Sequence, residues 1–186
     1  MFKPTAFVRV TILLAGAHWS GGQPVSSGVF TCGSIWLGQP GTGVAYKGTL
    51  RNSDYGFSAV IPRGYTGWGA GEGAPFHGFA IYLDDSYPRS CVVFQIGRKV
   101  DLPDDPSSPT VSSVPEKVVK VGNRRGSKSR AKGVIDGVDY ENTTVNLALP
   151  RGADTILVTV TLVTPREHAR TNQRIFGSFL SELRFQ

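Results

Sequence analysis

Thr155-Ile156-Leu157-Val158-Thr159-Val160-Thr161-Leu162-Val163 runs directly into Thr164-Pro165-Arg166-Glu167, and beyond that point the apolar positions change period. The stretch 155–163 is leucine or β-branched throughout, which is the composition of a packed strand. After Pro165 the apolar residues Ile175, Phe176, Phe179, Leu180 and Leu183 recur at helical spacing and make one stripe. Thr164 has the chemistry of an N-cap, Pro165 that of a first helical residue, and Glu167 that of a capping-box partner. Gly177 and Ser178 are small, which predicts a close approach of this helix to a sheet. A strong strand handing over to an amphipathic helix makes the chain α+β.

Upstream, Thr143–Leu149 precedes a reversal at Arg151-Gly152. Cys91-Val92-Val93-Phe94-Gln95-Ile96 is apolar on both faces and reads as a central strand. His77–Leu83 is closed by Asp84-Asp85-Ser86, Tyr55–Ile61 follows the turn Asn52-Ser53-Asp54 and ends at Pro62, and Val44–Leu50 alternates. The expectation is an antiparallel sheet of about six strands with the C-terminal helix packed on it. Between strands, Gly67-Trp68-Gly69-Ala70-Gly71-Glu72-Gly73 reads as a Gly-rich loop with Trp68 at its tip. Prolines 103, 106, 109 and 115 make 101–115 an irregular connection, and Glu116–Lys132 reads as a short helix or a mobile basic loop.

The 186 residues, 20.0 kDa, leave room for one core. Hydrophobic residues at 40% and charged residues at 18% exclude a disordered chain, and no apolar run reaches the length of a membrane span. Lys3 and Arg9, the apolar Val10–Ala15 and the small residues Ala15-Gly16-Ala17 read as a signal peptide over 1–17. The alternative is an N-terminal strand, Ala6–Leu14. Residues 18–42 form a Gly/Ser/Pro-rich arm carrying Trp19 and Trp36, and 43–186 is the single domain. Cys32 and Cys91 fit a bridge in an oxidising compartment, closing a loop of about 58 residues at a gain of about 3–4 kcal/mol; two buried free thiols are the other reading. Export makes the location periplasmic or secreted.

His77 follows the Gly-rich loop and opens a strand, so it is the first candidate for acid–base work. Asp84 lies roughly 23 Å away along an extended strand, too far for a direct hydrogen bond. A Cys91–His77 nucleophilic pair is the other enzymatic arrangement, and it excludes the disulfide. The glycines at 67, 69, 71 and 73 lack the following helix of a dinucleotide fingerprint and the lysine of a P-loop. Asp84, Asp85, Asp101, Asp104 and Asp105 lack the spacing of a calcium loop, so neither a metal nor a cofactor is implied. Asn142-Thr143-Thr144 is a glycosylation sequon, relevant only to a eukaryotic secretory route. Lys120, Arg124, Arg125, Lys128, Arg130 and Lys132 fall within one short run, against a net charge of +6 for the whole chain. That run contains no aromatic residue to stack on bases, so it suits an acidic protein better than nucleic acid.

Two stretches, Arg51-Asn52-Ser53-Asp54-Tyr55-Gly56-Phe57-Ser58-Ala59-Val60-Ile61-Pro62 and the strand-then-helix Ile156–Phe185 with Phe176-Gly177-Ser178-Phe179, resemble the PsbP-like α/β/α sandwich superfamily. The resemblance implies a sheet flanked by helices and a role in binding other proteins rather than in a reaction. The Gly-rich loop and the Pro-rich connection lie outside that pattern, and a β-sandwich with one terminal helix is the alternative architecture. Together these features predict an exported protein-binding domain. Its sharpest form is an immunity or inhibitor protein that blocks an envelope-targeted toxin or hydrolase. Tyr65, Trp68 and His77 would be its contacts, and Arg124, Arg125, Lys128 and Arg130 would steer the partner. The alternatives are a small hydrolase using His77 with Cys91 or an aspartate, and a structural accessory protein of an envelope complex.

Overall fold

A computed structural model describes Cys32 and residues 43–69, 78–84, 89–98 and 117–186. Residues 1–17, the 18–42 arm apart from Cys32, His77, Asp85 and the connection 101–115 lie outside the described residues. The stretch 155–163 is a strand, longer than expected: β10 spans Asp154–Pro165. It sits inside an eight-stranded antiparallel sheet, between β6 (Cys91–Arg98) and β9 (Val138–Arg151). The other members are β1 (Val44–Tyr46), β4 (Gly67–Gly69), β5 (Gly78–Tyr82), β7 (Lys117–Val121) and β8 (Arg124–Ile135). The spatial order is β1-β4-β5-β6-β10-β9-β8-β7. A second sheet holds β2 (Thr49–Asn52), β3 (Phe57–Val60) and β11 (Arg184–Phe185), and the helix α1 runs over Ala169–Glu182.

The main sheet thus has eight strands rather than about six. One expected strand, Val44–Leu50, breaks at Lys47-Gly48, where Gly48 takes a positive φ of 67° and sends the chain from one sheet to the other. Gly67–Gly69 is a strand paired with β1 and β5, not the start of a loop. The segment expected as helix or loop over 116–132 is also strand. From Ser127 to Lys132 β8 carries cations on one face and Ser or Ala on the other, so it has no apolar alternation to read. Its strand state comes from pairing with β9 along Ser127–Ile135, a tertiary effect that overrides local propensity.

Alternation sorts the main sheet into two faces. On one, Phe79, Ile81, Val92, Phe94, Ile96, Val145, Val158, Val160 and Leu162 pack with Phe57 and Ala59 of the small sheet and with Phe176, Phe179 and Leu180 of α1. Phe79 and Phe94 pair across β5 and β6 and stack with centroids 5.1 Å apart. Phe179 meets both edge-on, at 6.0 and 6.5 Å, and Phe57 lies 4.9 Å from Phe94. The far face carries a smaller cluster of Cys32, Ala80, Cys91, Val93, Tyr140 and Val163. Cys32 and Cys91 are bridged and fully buried there, with Cα atoms 5.9 Å apart.

The helix start differs from the capping box that the sequence suggests. Thr164 and Pro165 end β10, a 3-10 turn follows at Arg166–His168, and α1 begins only at Ala169 without a side-chain cap. Thr164 is buried instead. Its hydroxyl accepts from Asn172 Nδ2 at 3.0 Å and lies 3.4 Å from Ser90 Oγ. That network ties the helix to the ends of β10 and β6. Gly177 and Ser178 face solvent, so bulky Phe176 and Phe179 set the helix–sheet spacing, not the small residues.

The far end of α1 is held by the β7–β8 turn. Gly122, at φ 54°, approaches so closely that a Cβ there would stand 1.6 Å from the Leu183 carbonyl oxygen. The Asn123 side chain imitates a strand: Nδ2 donates to the Phe185 carbonyl at 2.7 Å, and Oδ1 accepts from the Phe185 N–H at 3.1 Å. Removing both partners from a buried main chain costs about 1–3 kcal/mol. Asn123→Ala should lower unfolding stability by that amount in urea titration with an unchanged m-value, and an unaltered midpoint would refute the clamp.

Candidate functional site

Four of the predicted partner-binding residues, Arg124, Arg125, Lys128 and Arg130, lie on one strand, β8, beside β7 at the end of the main sheet. The sequence fixes this hairpin locally with Val121-Gly122-Asn123-Arg124, a two-residue connection whose glycine supplies the positive φ. The next reversal, Asp136-Gly137 with φ 51° and 77°, starts β9 and lays β8 along it. β9 runs Val138–Arg151 and joins the ribbon to β10 in the middle of the sheet.

Register divides the cations between the two faces. Lys128 stands opposite Val145 and Val121 opposite Arg124, and both valines belong to the helix-side core. Lys117, Arg124, Lys128, Arg130 and Lys132 therefore share the helix face, while Lys120 and Arg125 share the far face. Two like-charged pairs result, Lys117 opposite Lys128 and Lys120 opposite Arg125. Directly opposed like charges are destabilising. Arg130 reaches an acid, with Nε 3.9 Å from Glu141 Oε1, a spacing worth little at a surface. Lys128 has its pKa pushed below the ordinary lysine value of 10.5, first by burial, then by Arg130 and Lys117, with Glu141 acting in the opposite sense.

The predicted apolar contacts lie elsewhere. Trp68 sits in mid-strand on β4, opposite Ala45 and Ala80, and is half-buried. Tyr65 packs partly buried against the helix-side core. β4 and β8 are separated by five strand spacings, roughly 24 Å along the sheet. Tyr65 and Trp68 therefore do not form one surface with the cations, and 117–132 is a ribbon rather than a loop. His77 lies outside the described residues. Cys91 is bridged to Cys32 and fully buried, which removes the thiol that a Cys91–His77 pair needs. Asp84 accepts from the Ser90 N–H at 3.0 Å. Asn142 of the sequon is buried within β9 and presents no glycosylation site. Among the described residues no three His, Cys, Asp or Glu side chains gather as metal ligands would.

Lys117 and Val118 were absent from the sequence-based site. Both belong to Lys117-Val118-Val119-Lys120-Val121, and its β-branched valines before Gly-Asn are a strand-and-turn signal. Val118 is 68% exposed, the most exposed large hydrophobic residue among those described.

No known protein family matches the chain, and no curated protein matches it in sequence. Among solved structures it is similar to LpqN, involved in cell envelope biogenesis of Mycobacterium tuberculosis, with TM-score 0.54 and 8% sequence identity over 75% of this chain and 90% of that one. It is also similar to a protein from Bacteroides thetaiotaomicron VPI-5482, with TM-score 0.46 and 14% identity over 78% of this chain and 49% of that one. The LpqN likeness is one of fold. The bridged cysteines fit an oxidising compartment such as the cell envelope or exterior. No helix among the described residues is long and apolar enough to cross a membrane.

Reversing one charge should strengthen this fold. Lys120→Glu turns a like pair into an opposite pair with Arg125, and unfolding stability should rise by about 0.2–1 kcal/mol at low salt. The gain should vanish near about 1 M salt, where screening is short-ranged; a loss of stability at low salt would contradict the register. Lys128 gives a pH signature. Folding disfavours its charged form, so the destabilisation is complete below the lowered folded pKa and is released as pH rises through it toward 10.5. Lys128→Met should therefore be more stable than wild type at neutral pH, with the advantage shrinking in alkaline titrations, and a pH-independent difference would exclude this origin.

Proposed function

We propose that this chain is an exported protein-binding domain that recognises an acidic partner through the β7–β8 ribbon. The observation that carries the reading is the run of cations on β8, two of them opposed by lysines of β7, on a hairpin whose turn is tied to Phe185 through Asn123. A sheet edge that keeps opposed like charges gives up stability, and an acidic surface placed over it recovers that loss. Such a field also speeds encounter, by an amount that falls as salt rises. The signal-peptide reading of 1–17 and the Cys32–Cys91 bridge support export to the periplasm or the exterior.

In its sharpest form the domain is an immunity or inhibitor protein that covers an envelope-targeted toxin or hydrolase. The buried, bridged Cys91 argues against a thiol enzyme, and the PsbP-like resemblance supports binding over catalysis. A second form, a structural accessory protein of an envelope complex, is favoured by the fold likeness to LpqN, a protein involved in cell envelope biogenesis.

Capture from the protein's own envelope extract at about physiological salt tests the reading. The wild-type chain should retain a stoichiometric acidic partner, and Arg124→Glu/Arg125→Glu should reduce its retention at least about tenfold while thermal unfolding stays unchanged or improves. Equal retention by the variant would overturn the ribbon as the recognition surface. The partner's own activity, inhibited or unaffected, separates the inhibitor from the accessory protein.

A further inference from the structure

Among the described residues, the ribbon ends in a strand with an open edge. β7 is the terminal member of the main sheet, paired with β8 on one side. Val121 and Arg124 flank a two-residue connection, and residues flanking such a connection form a hydrogen-bonded pair. Hydrogen-bonded and non-hydrogen-bonded pairs alternate, so Lys117, Val119 and Val121 direct their main-chain groups toward β8. The N–H and C=O of Val118 and Lys120 then point away from the sheet. Both residues are exposed, Val118 at 68%.

An exposed edge of this kind is a template for another strand, and lysines on it commonly repel strands of the wrong kind. Here the repulsion is selective by sign. Among the described residues neither Lys117 nor Lys120 makes an ion pair, and each faces a further cation on β8. A neutral or basic strand meets that field unfavourably, whereas an acidic strand neutralises both like-charged pairs. We propose that β7 takes up an extended acidic segment of the partner protein as a ninth strand, hydrogen-bonded through the main chains of Val118 and Lys120. This rests on the function proposed above and adds the binding mode and the partner's sequence pattern.

The pattern follows from alternation. Lys117 is on the helix face, and Val118 and Lys120 are on the far face. The added strand therefore needs an acidic residue opposite Lys117, an apolar residue next to it opposite Val118, and a second acidic residue opposite Lys120. Its two acids are three residues apart and point to opposite faces. That spacing separates strand addition from attraction to a general acidic patch.

The full-length protein is titrated with a ten-residue peptide carrying this acid–apolar–x–acid pattern, capped at both ends. The controls are the same peptide N-methylated at the bonds that would face Val118 and Lys120, and vesicles of phosphatidylglycerol. Val118→Pro removes one outward donor and leaves the β7–β8 ladder intact, as proline at a free edge permits. We expect the peptide to bind and to slow amide exchange at Val118 and Lys120. N-methylation, Val118→Pro and Lys120→Glu should each weaken binding at least about tenfold. If Val118→Pro perturbs the fold, the N-methylated peptide tests the same hydrogen bonds on the unaltered protein. Equal binding of the N-methylated peptide would overturn strand addition while leaving an acidic partner in place. Failure of every acidic peptide, with or without vesicle binding, would overturn both.

Discussion

Phe94 is the residue on which the two sheets and the helix converge. It stacks on Phe79 of the neighbouring strand, meets Phe179 of the helix edge-on and lies 4.9 Å from Phe57 of the small sheet. Each such aromatic pair adds on the order of 0.5–1.5 kcal/mol beyond the area it buries. The approach of β5 to β6 is equally exacting. Gly78 has φ 135°, and a Cβ there would stand 1.9 Å from the Phe94 carbonyl oxygen. With this cluster at its centre the sheet is covered on one face by helix and small sheet, and its far strands add Val121, Val145 and Leu147 to the same core.

The charges on those strands are arranged against the usual cross-strand preference. A structural hairpin would set acid opposite base, as cross-strand pairs favour. Here lysine opposes lysine and lysine opposes arginine, on either side of an exposed valine. The rest of the ribbon is well secured. Asn123 and Gly122 lock its turn to the C-terminal strand, and β9 pairs it along Ser127–Ile135. A secured turn and ladder beside two opposed like-charged pairs is the arrangement on which the proposed recognition surface rests.

The sequence made the centre of the fold legible and its periphery obscure, for one reason. Cys91–Ile96 and Thr155–Val163 announce themselves because buried strands are β-branched and apolar, and Phe176, Phe179 and Leu180 because a helix buries one stripe. β8 shows nothing of the kind: Ser127, Ser129 and Ala131 lie on one side and Lys128, Arg130 and Lys132 on the other, so neither period appears. Thr164-Pro165-Arg166-Glu167 misled by being locally ideal. The hydroxyl that would cap a helix is instead bound by Asn172 inside the fold. Composition picks out the cations, and the Gly122-Asn123 turn sets their register on β7 and β8, but the pairing that makes 127–132 a strand comes from β9. Trp68 and Tyr65 lie far from the cations, and the chain order of strands conceals their order in space.

That order also governs how the chain comes together. From β7 to β10 neighbours in sequence are neighbours in space, joined through turns such as Gly122-Asn123 and Asp136-Gly137. β4, β5 and β6 form a second sequential run, and the two runs meet where Arg98 pairs with Ile156 and Cys91 with Val163. Closing that seam brings together segments far apart along the chain, at an entropic disadvantage of a few kcal/mol relative to a two-residue turn. We therefore expect the C-terminal run to assemble first and the seam to close last, an order that pulsed amide exchange during refolding reads directly. The Cys32–Cys91 bridge ties Cys32 to β6, the strand at which the two runs meet.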